Sequence, residues 1–152
     1  VFCCWTGLAF IDVHDLHESD FFVDSNGNKW IIRNRIKTGV EAIIPVSKIP
    51  CEILEKYKND KISIAKEKVL PVDTNQRMNS YLKEIADVCG INKKLTTHTA
   101  RHTFATLLIA DHASIKNVAA MMGHSSVKMT ERYARVQDYS ILYDMEKFSK
   151  NI

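Results

Sequence analysis

The chain has 152 residues, 45% hydrophobic and 26% charged, which is ordinary for one globular domain with a buried core. Its net charge of +3, from 21 basic against 18 acidic residues, does not by itself demand a nucleic-acid partner; a basic surface would have to come from clustering. No apolar run is long enough to span a membrane, and Cys3, Cys4, Cys51 and Cys89 form neither a CxxC pair nor a metal-ligand spacing, as expected of idle thiols in a reducing cytosol.

Residues 1–17 read as helical, with Phe2, Leu8, Val13 and Leu16 among the apolar positions and a break at Gly7. Three strands follow, at 21–24, 29–36 and 40–46. Asn26-Gly27 marks the first hairpin turn and Lys37-Thr38-Gly39 the second. Along the second strand Trp30, Ile32, Asn34 and Ile36 share one face, while Arg33, Arg35 and Lys37 share the other. Three cations on one face suit a nucleic-acid backbone; the competing reading for Arg33 and Arg35 is a solvated outer face.

From residue 47 on the chain reads as helical. A helix over 49–57 tolerates Pro50 in its first turn, and 58–72 reads as a polar, irregular connection holding at most a short extended piece. Thr74 is placed to cap a helix closed by Gly90, and another is expected over 97–111. Ser114 and Ser126 read as caps of two short helices, and Asp138 as the start of a last one. The pattern predicts an α+β fold, mainly helical, with a small three-stranded antiparallel sheet near the N-terminus.

On the helix over 97–111, His98 and Arg101 stand at i and i+3 and project together. Arginine offers a planar fork that matches two phosphate oxygens, and histidine exchanges a proton near neutral pH. His98 and His102 also stand at i and i+4, as two zinc ligands would, but Thr99 occupies the place of the glutamate that the zinc-protease pattern needs. His102 is therefore read as a packing residue. Gly123 permits a sharp break between helices, which is expected to leave His124 at a helix N-terminus suited to anions. Tyr133 is expected about two turns along the helix that follows. A phenol in that setting can attack phosphorus once aimed and deprotonated.

The order Lys37, His98-Thr99-Ala100-Arg101, Gly123-His124, then Thr130, Tyr133 and Ala134 resembles the catalytic domain of the tyrosine recombinases, the phage integrase family. Thr6-Gly7-Leu8 is similar to that family's first arginine box, and Asp12 stands where an acidic residue is usual. The resemblance runs from residue 6 to about 137. It implies that residues 1–152 form a tyrosine-recombinase catalytic domain. The start, Val1-Phe2-Cys3-Cys4-Trp5, reads as the inside of a helix, so the expectation is a fragment whose N-terminal DNA-binding modules are absent.

The resemblance further implies that Tyr133 attacks the scissile phosphate to form a 3′-phosphotyrosyl link. Lys37 would protonate the leaving 5′-oxygen, Arg101 and His124 would stabilise the non-bridging oxygens, and His98 would act as base or relay. No metal, ATP or other cofactor is expected. The implied partners are double-stranded DNA, further copies of the chain in a tetrameric synapse, and accessory DNA-bending proteins. The C-terminal helix, with Ile141, Leu142, Met145 and Phe148 at helical spacing, would either dock on a neighbouring protomer or pack on its own core.

The implied setting is nucleoid-associated, in integration and excision of a mobile element. The sequence departs from the family at Ala9, where an arginine is usual. Either the charge comes from elsewhere, with Arg33 and Arg35 the nearest cations, or the chain is a DNA-binding relative that has lost catalysis. A metal-dependent hydrolase built on the six histidines is the remaining alternative.

Overall fold

The structure, a computed structural model, describes residues 1–134 and 138–150. The first helical stretch divides as expected, into α1 (Phe2–Thr6) and α2 (Phe10–His14). Gly7 closes α1 with a φ of 66°, a conformation that side chains disfavour, and a Cβ there would sit 2.4 Å from the ring of Phe104. The glycine thus lets the loop lie flat on a later helix. A single 3₁₀ turn (Glu18–Asp20) leads into the sheet.

The sheet has three antiparallel strands in the order β1 (Phe21–Val23), β2 (Lys29–Asn34) and β3 (Glu41–Pro45). Phe22 faces Trp30 across the first pair, and Arg33 faces Ala42 across the second. In the β1–β2 turn, Asp24 accepts hydrogen bonds from the backbone of Asn26 and Asn28, both at 2.9 Å, and from the Trp30 indole at 3.0 Å.

The two faces of β2 divide as the alternation predicts, but the face carrying arginine is the inner one. Ile31, Arg33 and Arg35 are buried, and Ile32, Asn34 and Ile36 are exposed. A solvated outer face for the two arginines is therefore corrected. Carboxylates and carbonyls of α2 and the 3₁₀ turn receive them, so both guanidiniums keep acceptors although the buried Arg33 Nε has none among the described residues.

Helix α3 (Lys48–Tyr57) carries Pro50 in its first turn. The connection after it is more ordered than expected. Asp60 accepts from the backbone of Ile62 and Ser63 and starts a short helix, α4 (Lys61–Ala65). Thr74 caps α5 (Asn75–Val88), and Thr96 with Thr99 forms a capping box that starts α6 (Thr97–Ala110). Asn79 of α5 accepts from the Thr97 backbone at 3.0 Å and ties those two helices together.

Then follow α7 (Ile115–Met121), α8 (Lys128–Glu131) and α9 (Asp138–Ser149). One core, including Leu8, Leu16, Ile31 and Ile44, joins α1 and α2 to the sheet. A second, of Phe104, Ala105, Val118 and Met122, joins α6 to α7. The first-helix positions Phe2, Leu8, Val13 and Leu16 are all buried. The seam between the cores is where the polar groups gather.

Two details of the last third differ from expectation. Helix α8 has only four residues and starts at Lys128, so His124 lies in the loop before it and not at its N-terminus. Tyr133 follows the end of α8 in a turn, instead of two turns along a helix. The expectation assumed a long helix; hydrogen bonds from Tyr133 N to Thr130 O and Ala134 N to Glu131 O close it into tight turns. In α9, Met145 and Phe148 are exposed, while the side chains of Ile141 and Leu142 and all of Gln137 lie outside the described residues.

Candidate active site

Arg101 is the centre of the seam. It projects from the first half of α6, and only 3% of it is exposed. Its guanidinium donates from Nη1 to the carbonyl of Gly7 and from Nη2 to that of Met122. Each glycine loop therefore lends one backbone acceptor, and the plane of the fork is set by both. Burial, and next the charge of Arg35, pull the Arg101 pKa down to about 10, which still leaves it a cation at neutral pH.

Arg35 reaches the same place from the end of β2. Its Nε donates to Asp12 Oδ2 at 3.4 Å and its Nη1 to the Gly123 carbonyl at 3.5 Å, both at the long end for hydrogen bonds. Asp12 is fully buried, and its other oxygen accepts from the backbone of Ile36 at 2.9 Å. That bond anchors the turn whose exposed tip carries Lys37. Gly123, with φ +56°, fits closely against Arg35: a Cβ there would sit 2.6 Å from Arg35 Cδ. The glycine of the Gly-His pair is thus required twice, by its backbone and by the arm of Arg35.

His124 follows directly. Its Nδ1 lies 2.8 Å from Thr130 Oγ1, and Thr130 is fully buried. Burial first, then Arg101, Arg35 and Arg132, push the His124 pKa down to about 4. At neutral pH it is an uncharged imidazole. When the threonine hydroxyl donates to Nδ1, the proton is on Nε2, which can then serve as a donor; the same contact also accommodates the other tautomer. His98 is exposed one turn before Arg101. Desolvation and then the charges of Arg101, Arg132, Arg35 and Lys37 lower its pKa as well, so that it stands ready to accept a proton.

Tyr133 is half-buried on the same side. Arg132 Nη2 donates to its hydroxyl at 2.9 Å, and the His102 ring meets its ring edge-on at 5.1 Å. His102 in turn packs against His98 at 4.4 Å, so it acts as the spacer between α6 and the Tyr133 turn. Among the described residues no cluster of three His, Cys, Asp or Glu could hold a metal ion.

The residues picked from the sequence thus divide into groups. Arg101, His124 and Arg35 converge, Tyr133 and His98 flank them, and Lys37 stands exposed on the turn that Asp12 anchors. Arg33 lies apart. Its Nη1 donates to the Asp12 and Asp15 carbonyls and to Asp20 Oδ2, and its Nη2 pairs with Asp15 at 3.5 Å. Sequence reasoning misses Arg132, the partner of the Tyr133 hydroxyl, although its place beside the tyrosine in the chain is a signal. It also gives Thr130 only as the threonine usual before the tyrosine, not as the partner of His124.

Known proteins share this arrangement of elements. The phage integrase family model matches residues 2–139. Tyrosine recombinase XerD of Listeria monocytogenes is 30% identical over 142 residues, covering 86% of this chain and 45% of that protein. The XerD of Staphylococcus haemolyticus is 33% identical over 148 residues, covering 90% and 46%. The chain spans about half the length of the curated relatives it matches. The crystal structure of XerA recombinase superposes with a TM-score of 0.68 at 25% identity, over 96% of this chain and 54% of that one. XerH site-specific recombinase bound to its difH substrate gives 0.72 at 18% identity, over 94% and 44%, a likeness of fold.

Proposed function

The chain belongs to the phage integrase family, and on that footing we propose that it is the catalytic domain of a tyrosine site-specific recombinase. Its substrate in this reading is double-stranded DNA, which it cuts and rejoins through a 3′-phosphotyrosyl intermediate. The observation that carries the reading is a surplus of buried positive charge. Arg101 and Arg35 lie close enough for the charge of Arg35 to lower the Arg101 pKa, and the buried carboxylate near both is Asp12, which is paired with Arg35. Buried charge is costly without a counter-ion. A phosphodiester supplies the missing negative charge.

In the reaction, the Tyr133 oxygen attacks phosphorus while His98 takes the phenolic proton, directly or through a relay. The bond from phosphorus to the 5′-oxygen breaks, and Lys37 gives that oxygen its proton. Arg101 and neutral His124, through Nε2–H, bind the non-bridging oxygens as charge builds on them. Arg132 holds the Tyr133 hydroxyl in place before attack. Attack by a free 5′-hydroxyl reverses the sequence and rejoins strands, so the bond energy is kept and no ATP or metal ion is consumed.

Of the three cations Arg33, Arg35 and Lys37, the reading gives Lys37 and Arg35 to DNA, and the buried contacts of Arg33 support a role for it within the fold. The exposed Met145 and Phe148 on α9 support self-association on DNA through that helix. The biological setting in this reading is integration and excision of a mobile element. The test is an SDS-stable adduct assay with the full-length protein, chelator present. The DNA is nicked duplex from the junctions of the genomic segment that encodes it. An adduct that disappears with Tyr133→Phe is the expected result. DNA binding without an adduct on any junction would replace this reading with an inactive DNA-binding relative, as Ala9 suggests.

A further inference from the structure

The family's usual first arginine is missing at Ala9, yet the cluster is not short of positive charge. Ala9 is the cap residue just before α2, and its methyl group carries no donor. Three residues on, the same helix presents Asp12, fully buried. Its carboxylate holds Arg35, which arrives from β2 on the far side of the loop. So a guanidinium is moored on the helix that follows Ala9, brought there from the end of a different element.

Three further observations say that this guanidinium is more than a structural partner of Asp12. First, Asp12 and Gly123 hold it at 3.4 and 3.5 Å, loose for a charged pair buried to this degree. Arg33, two residues earlier on the same face, has its Nη1 within 2.8 to 3.2 Å of three acceptors, although its Nη2 pairs with Asp15 at 3.5 Å and its buried Nε has no partner among the described residues. Second, its charge is felt by Arg101, His124 and His98 alike, which places it among the reacting groups. Third, the arm of Arg35 lies in the space that a side chain at 123 would fill. The Gly-His loop is shaped around it.

We propose that Arg35 is a catalytic residue of the chain, gripping the non-bridging oxygen of the scissile phosphate that Arg101 leaves free, from the end of β2 instead of from the Thr6-Gly7-Leu8 loop. On binding, its weak contacts with Asp12 and the Gly123 carbonyl lengthen or bifurcate toward the phosphate. Asp12 changes from counter-ion to positioning residue. The inference rests on the recombinase reading, and the experiment separates the two.

Adduct formation is measured for the full-length protein, for Arg35→Ala, for Arg35→Lys and for Ala9→Arg combined with Arg35→Ala. Each is tested on ordinary nicked junction DNA and on the same DNA with a methylphosphonate, which is uncharged, at the scissile position. On ordinary DNA Arg35→Ala should fall about 100-fold, Arg35→Lys less, and the added arginine at 9 should restore much of the loss. On methylphosphonate DNA the gap between Arg35→Ala and the parent should close to within about threefold, because no charge remains to neutralise.

If Arg35→Ala cleaves as well as the parent on ordinary DNA, or loses equally on both substrates, the inference is overturned. Melting curves report folding, and should Arg35→Ala not fold, the Arg35→Lys comparison on the two substrates decides in the same way. An unsubstituted protein that forms no adduct at all strikes the recombinase reading itself, whatever the variants do.

Discussion

Arg33 and Arg35 are two residues apart on one strand, both point inward, and both are nearly sealed from solvent, yet they live in opposite electrostatic settings. Around Arg33 the region is balanced in charge, though its Nε lacks a hydrogen-bond partner among the described residues: Asp15 and Asp20 supply two carboxylates, and Lys68 balances Asp15 in turn. Around Arg35 the region is open in charge, with Arg101 beside it and, among the described residues, Asp12 to serve both. A buried ion with its partners present knits elements together. A buried ion without enough of them is a receptor for something that is not yet there.

The two settings separate most sharply when Arg101 is set against Arg33. Arg101→Met should lower adduct formation about 1000-fold, since it removes two donors to a developing oxyanion. Arg33→Met should leave cleavage per folded molecule within about threefold of the parent. Its cost should appear in urea, as a loss of about 2 kcal/mol with an unchanged slope, because Asp20 and two carbonyls lose their donor. Were Arg33→Met to abolish cleavage while remaining folded, the distinction between the regions would collapse.

A gentler probe asks for the missing anion directly. Sulfate resembles the phosphate in charge and donor geometry, so at ten times its dissociation constant it should stabilise the protein by about 1.4 kcal/mol. General salting-out effects of sulfate act on any protein. The increment that matters is therefore the difference between the parent and Arg101→Met, measured side by side as melting shifts. Equal shifts in the two would mean that the cluster holds no anion.

Much of the fold and of the site is legible in the chain, and the reasons differ by residue. Local rules act over a few residues, so the Asn26-Gly27 turn, the Thr74 cap and the break at Gly7 are readable from their own neighbours. The helical spacing of His98 and Arg101 is readable for the same reason. The inward turn of Arg33 and Arg35 is not. Alternation tells which side chains share a face, but the choice of inner face depends on Asp12, Asp15 and Asp20, up to 23 residues away. Likewise the Tyr133 turn depends on a helix that stops after four residues, and no glycine or proline in the chain marks that stop. The missing arginine at Ala9 is visible in sequence, whereas the space against Gly123 that Arg35 occupies exists only in three dimensions.

The smallest expected effect sharpens the contrast by pH. The His124 pKa is depressed from its ordinary 6.5 to about 4 by burial and by the arginines of the open region. Between those values the unfolded chain binds a proton that the folded one refuses. Stability is therefore intact above 6.5 and declines as the pH falls toward 4. His98 and His102 are shifted the same way, so His124→Gln should make this acid limb shallower without removing it. An anion seated beside His124 offsets the arginine charge that holds the pKa down, so sulfate should let the folded protein take up the proton. The stabilisation by sulfate should then be larger at about pH 5 than at about pH 7.5 in the parent, and that excess should shrink in His124→Gln. The same excess in both proteins would mean that the proton is taken up elsewhere, and that the surplus charge of the open region is not felt at His124.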